Sequence, residues 1–125
     1  MRILFLSAIA IFLSACVDPC VDEFIRQAAD KEQKTAAVHI RRNCGATTGD
    51  AEQVYIVVSG TSYKDAEPIF TADKADNLAI NWLDGRTLEI SYDSARIFNF
   101  KNFWHSVEVD NFQYVIKVAL REGSQ

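Results

Sequence analysis

The 125-residue chain carries 13 Lys and Arg against 17 Asp and Glu, a formal charge of −4, and is 49% hydrophobic and 24% charged. That balance offers no basic stripe to a phosphate backbone, so nucleic acid is not an expected partner. The length suffices for one small domain with its own core and leaves no room for a second.

Met1-Arg2 supplies a positive start, and residues 3–13 are apolar apart from Ser7. A membrane-spanning helix needs roughly 20 apolar residues, so this run is too short to cross a bilayer and reads as a secretory signal. It closes on Leu13-Ser14-Ala15-Cys16, which resembles a bacterial lipobox. In proteins that carry one, the cysteine is lipidated and becomes residue one. The expected organisation is therefore a lipoprotein signal peptide over residues 1–15, a lipidated tether with a short helix over 16–34, and a single antiparallel β domain over 35–125. Removing Arg2 with the signal leaves 12 basic against 17 acidic residues, a charge of −5. No polybasic segment adjoins the lipid, so attachment to the membrane would come from acyl chains such as palmitate. Val17 rather than Asp after Cys16 matches the pattern associated with outer-membrane sorting, placing the protein in the cell envelope, on the outer membrane facing the periplasm in a Gram-negative source.

The chain has three cysteines. With Cys16 consumed by lipid, Cys20 and Cys44 are left to pair as a disulfide in an oxidising compartment, closing a loop of about 24 residues that stabilises by roughly 3 kcal/mol. A metal site built from Cys20, Cys44 and His39 is the weaker alternative, because the usual ligand spacings are missing.

Asp18-Pro19 looks like a helix N-cap and first position, and Val21, Phe24, Ile25 and Ala28 follow at helical spacing. Past Lys34 the period becomes two, with Ala36, Val38 and Ile40 on one face and His39 and Arg41 on the other, then Val54, Ile56 and Val58. Residues 62–67 read as polar loop and 68–71 as a short edge strand. A first hairpin is expected with a three-residue loop, Leu83-Asp84-Gly85, pairing Ile80 with Leu88 and Leu78 with Ile90, Gly85 being left-handed. A second is expected around Asp110-Asn111, setting Val109 against Phe112, Val107 against Tyr114 and His105 against Ile116. About six to eight strands then make a mainly β fold, an antiparallel meander folded into a small sandwich or partly open barrel. Phe98, Phe100, Phe103 and Trp104 read as core or sheet-closing packing.

Arg42-Asn43-Cys44-Gly45-Ala46-Thr47-Thr48-Gly49 resembles the R-N-C-G-A-T-T-G signature of small bacterial lipoproteins grouped as a domain of unknown function. The lipobox, the cysteine soon after it, Trp82 answered by Leu88, Ile90 and Tyr92, and Ala95-Arg96-Ile97-Phe98 are similar too. Relatives tend to have S-P-D-G-K where this chain has residues 28–34. The resemblance implies a fold and an address but no activity.

The loop around Cys44 has two readings. It is a disulfide-pinned turn, or a recognition loop in which Asn43, Gly45, Thr47, Thr48 and Gly49 meet a partner. Catalysis is not expected: G-x-S-x-G, H-E-x-x-H, P-loop and dinucleotide motifs are missing, and His39 and His105 both fall inside expected strands. Asp73 and Asp76 lack calcium-loop spacing and read as solvated acids, so neither metal nor cofactor is implied. The function these features support is a membrane-anchored envelope lipoprotein acting as a non-enzymatic binding or structural domain for a protein or glycan. The alternative is a periplasmic inhibitor or immunity protein whose acidic surface meets a basic lysozyme or toxin. Ser91-Tyr92-Asp93-Ser94-Ala95-Arg96 is faintly similar to a lysozyme-inhibitor motif but lacks its Ser-Gly.

Overall fold

The computed structural model describes residues 20–45 and 49–123. The signal segment, Cys16, Thr47 and Thr48 lie outside them. Among the described residues nine strands form two sheets. Val21–Ala29 (β1), Thr35–Asn43 (β2), Ala51–Val58 (β3) and Phe70–Asp76 (β4) run as a meander, and Ser94–Phe100 (β7) completes this antiparallel first sheet beside β4. The second sheet holds Ala79–Asp84 (β5), Thr87–Tyr92 (β6), Phe103–Trp104 (β8) and Ile116–Glu122 (β9) in the order β5-β6-β9-β8. Its β6 and β9 are parallel, and every other pairing is antiparallel. The mainly β sandwich expected from the alternation is what forms.

The helix expected at the start of the domain is instead strand β1. The stretch VDEFIRQAA carries apolar residues at helical spacing, yet pairing with β2 overrides that weak preference. Asp22 lies opposite Arg42 and Glu23 opposite Arg41, and opposite charges placed across a strand pair fix its register. A bulge at Ile25, between Phe24 and Arg26, kinks this edge strand. The β domain therefore starts at Val21, well before residue 35. Residues 30–34 make the β1–β2 turn, with Gln33 at φ 58°.

The alternation in β2 survives, but both of its faces are covered. Ala37 joins Val54, Ile56, Phe70 and Ala72 of sheet one against Ile80, Leu88, Ile90 and Ile116 of sheet two, forming the main core. Ala36, Val38 and Ile40 belong to a second cluster with Tyr55 and Val57 on the outer face of the first sheet. There Tyr63 packs on Tyr55, ring centroids 5.2 Å apart. Its hydroxyl donates to Asp22 at 2.9 Å, which pins the 59–69 segment over that face.

Residues 68–71 are not an edge strand. Phe70 and Thr71 open β4, an interior strand between β3 and β7, and Pro68 sits before it, where its missing N–H costs nothing. In the first hairpin Ile80 opposes Ile90 and Trp82 opposes Leu88, a shift of two residues from the expected register. The turn is Gly85-Arg86, with Leu83 bulged out between Trp82 and Asp84. A shift of two keeps every side chain on its face, so Ile80, Leu88 and Ile90 are buried as expected; Gly85, however, is not at positive φ. The second hairpin does not form at residues 105–116. Trp104 rather than His105 opposes Ile116, and 105–115 is a long connection whose Val109 and Tyr114 plug the core. Asp110 and Asn111 do take positive φ, 51° and 49°.

These connections define two ends of the sandwich. The bridge end holds the start of β1, the end of β2 and the turn from β4 into β5. The far end holds the 30–34 turn, the end of β3 and residues 101–115. At the far end Asp30, 2% exposed, accepts hydrogen bonds from Thr35 Oγ1 at 2.6 Å, Tyr114 OH at 2.7 Å and the Lys34 N–H at 3.1 Å. Trp82 Nε1 donates to the Ala28 carbonyl at 2.9 Å, tying β5 to the free edge of β1.

Candidate functional site

Cys20 and Cys44 are joined by a disulfide. They continue the β1–β2 register, since Val21 opposes Asn43, so the bridge crosses directly from one strand to the other. Asn43 beside it is a structural clamp: its Nδ2 donates to Asp50 Oδ1 at 2.7 Å and its Oδ1 accepts the Gly45 N–H at 2.9 Å. Gly45 takes φ 133°, a backbone that a Cβ would strain. Both arms of the Asn43 amide are thus used inside the loop. Gly49 borders a polar cleft instead.

That cleft is lined by Arg41, Lys74 and Arg96 against Asp50, Glu52 and Asp73, three cations facing three carboxylates. Beneath it His39 and Glu52, 3% and 5% exposed, share a 2.6 Å contact between His39 Nε2 and Glu52 Oε2. Glu52 Oε1 accepts from Arg41 Nε at 2.9 Å. Asp73 accepts from two of the three Arg96 guanidinium nitrogens, Nε and Nη2, and the guanidinium holds its carboxyl below the ordinary value. Lys74, at φ 49° in a break of the β4–β7 register, makes no ion pair among the described residues. The cleft is close to self-neutralised, so it offers little net pull to a charged ligand.

On the outer face of the same end, Arg42 donates twice to Asp22, at 2.7 and 3.1 Å, and its guanidinium lowers the Asp22 carboxyl despite partial burial. Burial and the bond to Asp22 push the Tyr63 hydroxyl up. These groups lock β1, β2 and the covering loop together.

His39 is a sheet residue, whereas His105 lies just beyond β8 and is exposed. Asp73 and Asp76 point to different partners, Arg96 and Ser94. Among the described residues no three His, Cys, Asp or Glu side chains are placed to share a metal ion, and no helix is long and apolar enough to cross a membrane.

The aromatic run divides. Phe100 and Trp104 pack against the core, as expected, but Phe98 and Phe103 are 60% and 51% exposed. Trp104 and His105 instead border an open cleft of about 510 Å³ at the far end, between the end of β3 and residues 101–108. Ile56, Val58 and Ile69 contribute to its walls, and Asp65, Glu67 and Glu108 to its rim. The sequence reading passed over this site because its parts are far apart in the chain. The one available signal was Phe103-Trp104-His105, three consecutive aromatic rings that a two-sided strand cannot bury together.

No family model, curated protein or solved structure matches the chain.

Proposed function

We propose that this protein is a lipid-anchored envelope lipoprotein, kin to the R-N-C-G-A-T-T-G group, whose β-sandwich serves as a non-enzymatic binding domain. The observation that carries the reading is the Cys20–Cys44 disulfide. It uses the two cysteines that remain once Cys16 takes lipid, and it suits an oxidising compartment. It also sets the geometry: Cys16 stands four residues before the bridge, so the lipid would hold the bridge end near the membrane. The far-end cleft would then open roughly 30 Å away, the length of the nine-residue β2 at about 3.3 Å per residue. In this reading the bridge and the Asn43 contacts to Gly45 and Asp50 fix the tether to the sheet, and contact with a partner falls to the far end.

The inhibitor or immunity reading is favoured by one observation, the carboxylate rim of the far-end cleft, which suits a basic target.

The test is metabolic labelling with a palmitate analogue, together with membrane fractionation, of wild type and Cys16→Ser in a bacterial host. Label and membrane partitioning in wild type, both lost in Cys16→Ser, are expected. Equal partitioning of the two without label would overturn the anchor.

A further inference from the structure

The far end carries an exposed apolar surface continuous with its cleft. Phe103, Val107 and Phe112 are 51%, 56% and 49% exposed. The His105 ring sits between those of Phe103 and Phe112, centroids 5.4 and 4.9 Å away. Isolated apolar residues on a surface need no explanation, but a contiguous aromatic group does.

The backbone beneath is held firmly. Asp110 is ion-paired to Lys34 at 2.9 Å. The N–H groups of Val109 and Phe112 both donate to the Ser106 carbonyl, at 3.2 and 3.0 Å. Asp110, Asn111 and Phe112 lie in succession at φ 51°, 49° and 68°. Asp and Asn tolerate that region; a phenylalanine there is unfavourable. A fold that keeps Phe112 in such a backbone while leaving half its ring in solvent gains no core packing in return. Preorganised exposed aromatics are what the centre of a protein interface requires.

Charge identifies the occupant. Of the rim carboxylates, Glu67 is paired with Lys101, but neither Asp65 nor Glu108 has an ion-pair partner among the described residues. A second copy would set acidic rim against acidic rim on a chain already carrying −4, which disfavours self-docking. We propose that this face docks a basic protein segment, with an aliphatic or aromatic anchor entering among Phe103, Trp104, His105 and Phe112 and flanking Lys or Arg side chains meeting Asp65 and Glu108. The proposal rests on the reading that the domain is tethered at its bridge end and binds at the other.

The probe is a random twelve-residue peptide display library selected on the full-length protein in detergent. Enriched peptides should place Lys or Arg beside an apolar residue. Their affinity should fall about tenfold or more with Phe112→Ser, and again with Asp65→Lys combined with Glu108→Lys, while Lys74→Glu at the bridge end leaves it unchanged. A thermal melt of each variant separates loss of contact from loss of fold. Enriched peptides without basic residues, affinity indifferent to both far-end changes, or no enrichment would each overturn the proposal. So would self-association abolished by Phe112→Ser, which would assign the face to a second copy. Basic preference in a chain that takes no lipid would sustain the docking face while removing the tether; lipid without basic preference would do the reverse.

Discussion

Tyr114→Phe isolates one hydrogen bond in the far-end core. Tyr114 is fully buried, its ring lies 5.2 Å from Lys34 Nζ and 4.3 Å from the Arg86 guanidinium carbon, and its hydroxyl donates to Asp30 Oδ2 at 2.7 Å. Phenylalanine keeps the ring and both cation contacts and deletes only the donor. A bond to a charged acceptor contributes about 1.5–3 kcal/mol, and Asp30 retains Thr35 and the Lys34 N–H. The expected loss is therefore about 2 kcal/mol at pH 7, or roughly 8 °C in Tm for a domain of this size. The pH dependence carries the sharper signature. Burial raises the Asp30 carboxyl, but bonds from Thr35, Tyr114 and two backbone N–H groups outweigh it and hold it below the ordinary value. A depressed carboxylate stabilises fully above its unfolded pKa, about 3.9, and that contribution is lost as pH falls through the folded value. The Tyr114→Phe deficit should accordingly be largest above pH 5 and shrink toward pH 2, where the hydroxyl meets a neutral acid. Urea unfolding with the disulfide intact, at pH 7 and at the lowest pH where the fold persists, measures both. A deficit below about 0.5 kcal/mol at pH 7, or one that grows on acidification, would refute the reasoning.

Two further perturbations have defined outcomes. Cys20→Ser with Cys44→Ser should cost roughly 3 kcal/mol through the released 24-residue loop, read as a lower denaturant midpoint that reductant reproduces in wild type; two freely reactive thiols in the exported wild-type protein would remove the premise. Glu52→Ala should cost about 2–3 kcal/mol, since it strips the partner from buried His39 while half-exposed Arg41 rehydrates. A His39→Ala, Glu52→Ala double-mutant cycle should return a coupling near 1–2 kcal/mol, and additive single effects would contradict the pair.

Period-two patterning made β2, β3, β5 and β6 legible, because successive side chains of a pleated strand meet different surroundings; in β2 the alternating set Ala36, Val38 and Ile40 belongs to the outer cluster with Tyr55 and Val57 rather than to the main core. Parity survived even where register did not: the bulge at Leu83 moved the first hairpin by two residues without turning any side chain over. β1 was misread because an edge strand buries little, and its Phe24, 55% exposed, leaves no alternation to detect. The second hairpin failed for the opposite reason. Val109 and Tyr114 are pulled into the core from a non-strand backbone, a long-range demand that local turn chemistry does not encode. The disulfide followed from counting cysteines. The far-end surface did not, since Asp65, Phe103 and Phe112 are brought to one end of the sandwich by tertiary structure alone.

The bridge between the first two strands has a mechanical consequence. β1 lies at the edge of its sheet and pairs with β2 alone, so a pull entering at its first residue would peel it away pair by pair. With Cys20 bonded to Cys44, the same pull reaches the end of β2, a strand held by neighbours on both sides. To extract that strand, both ladders must slide at once instead of opening in sequence. A domain anchored through its N-terminus would therefore meet tension at its strongest strand and leave its edge unloaded.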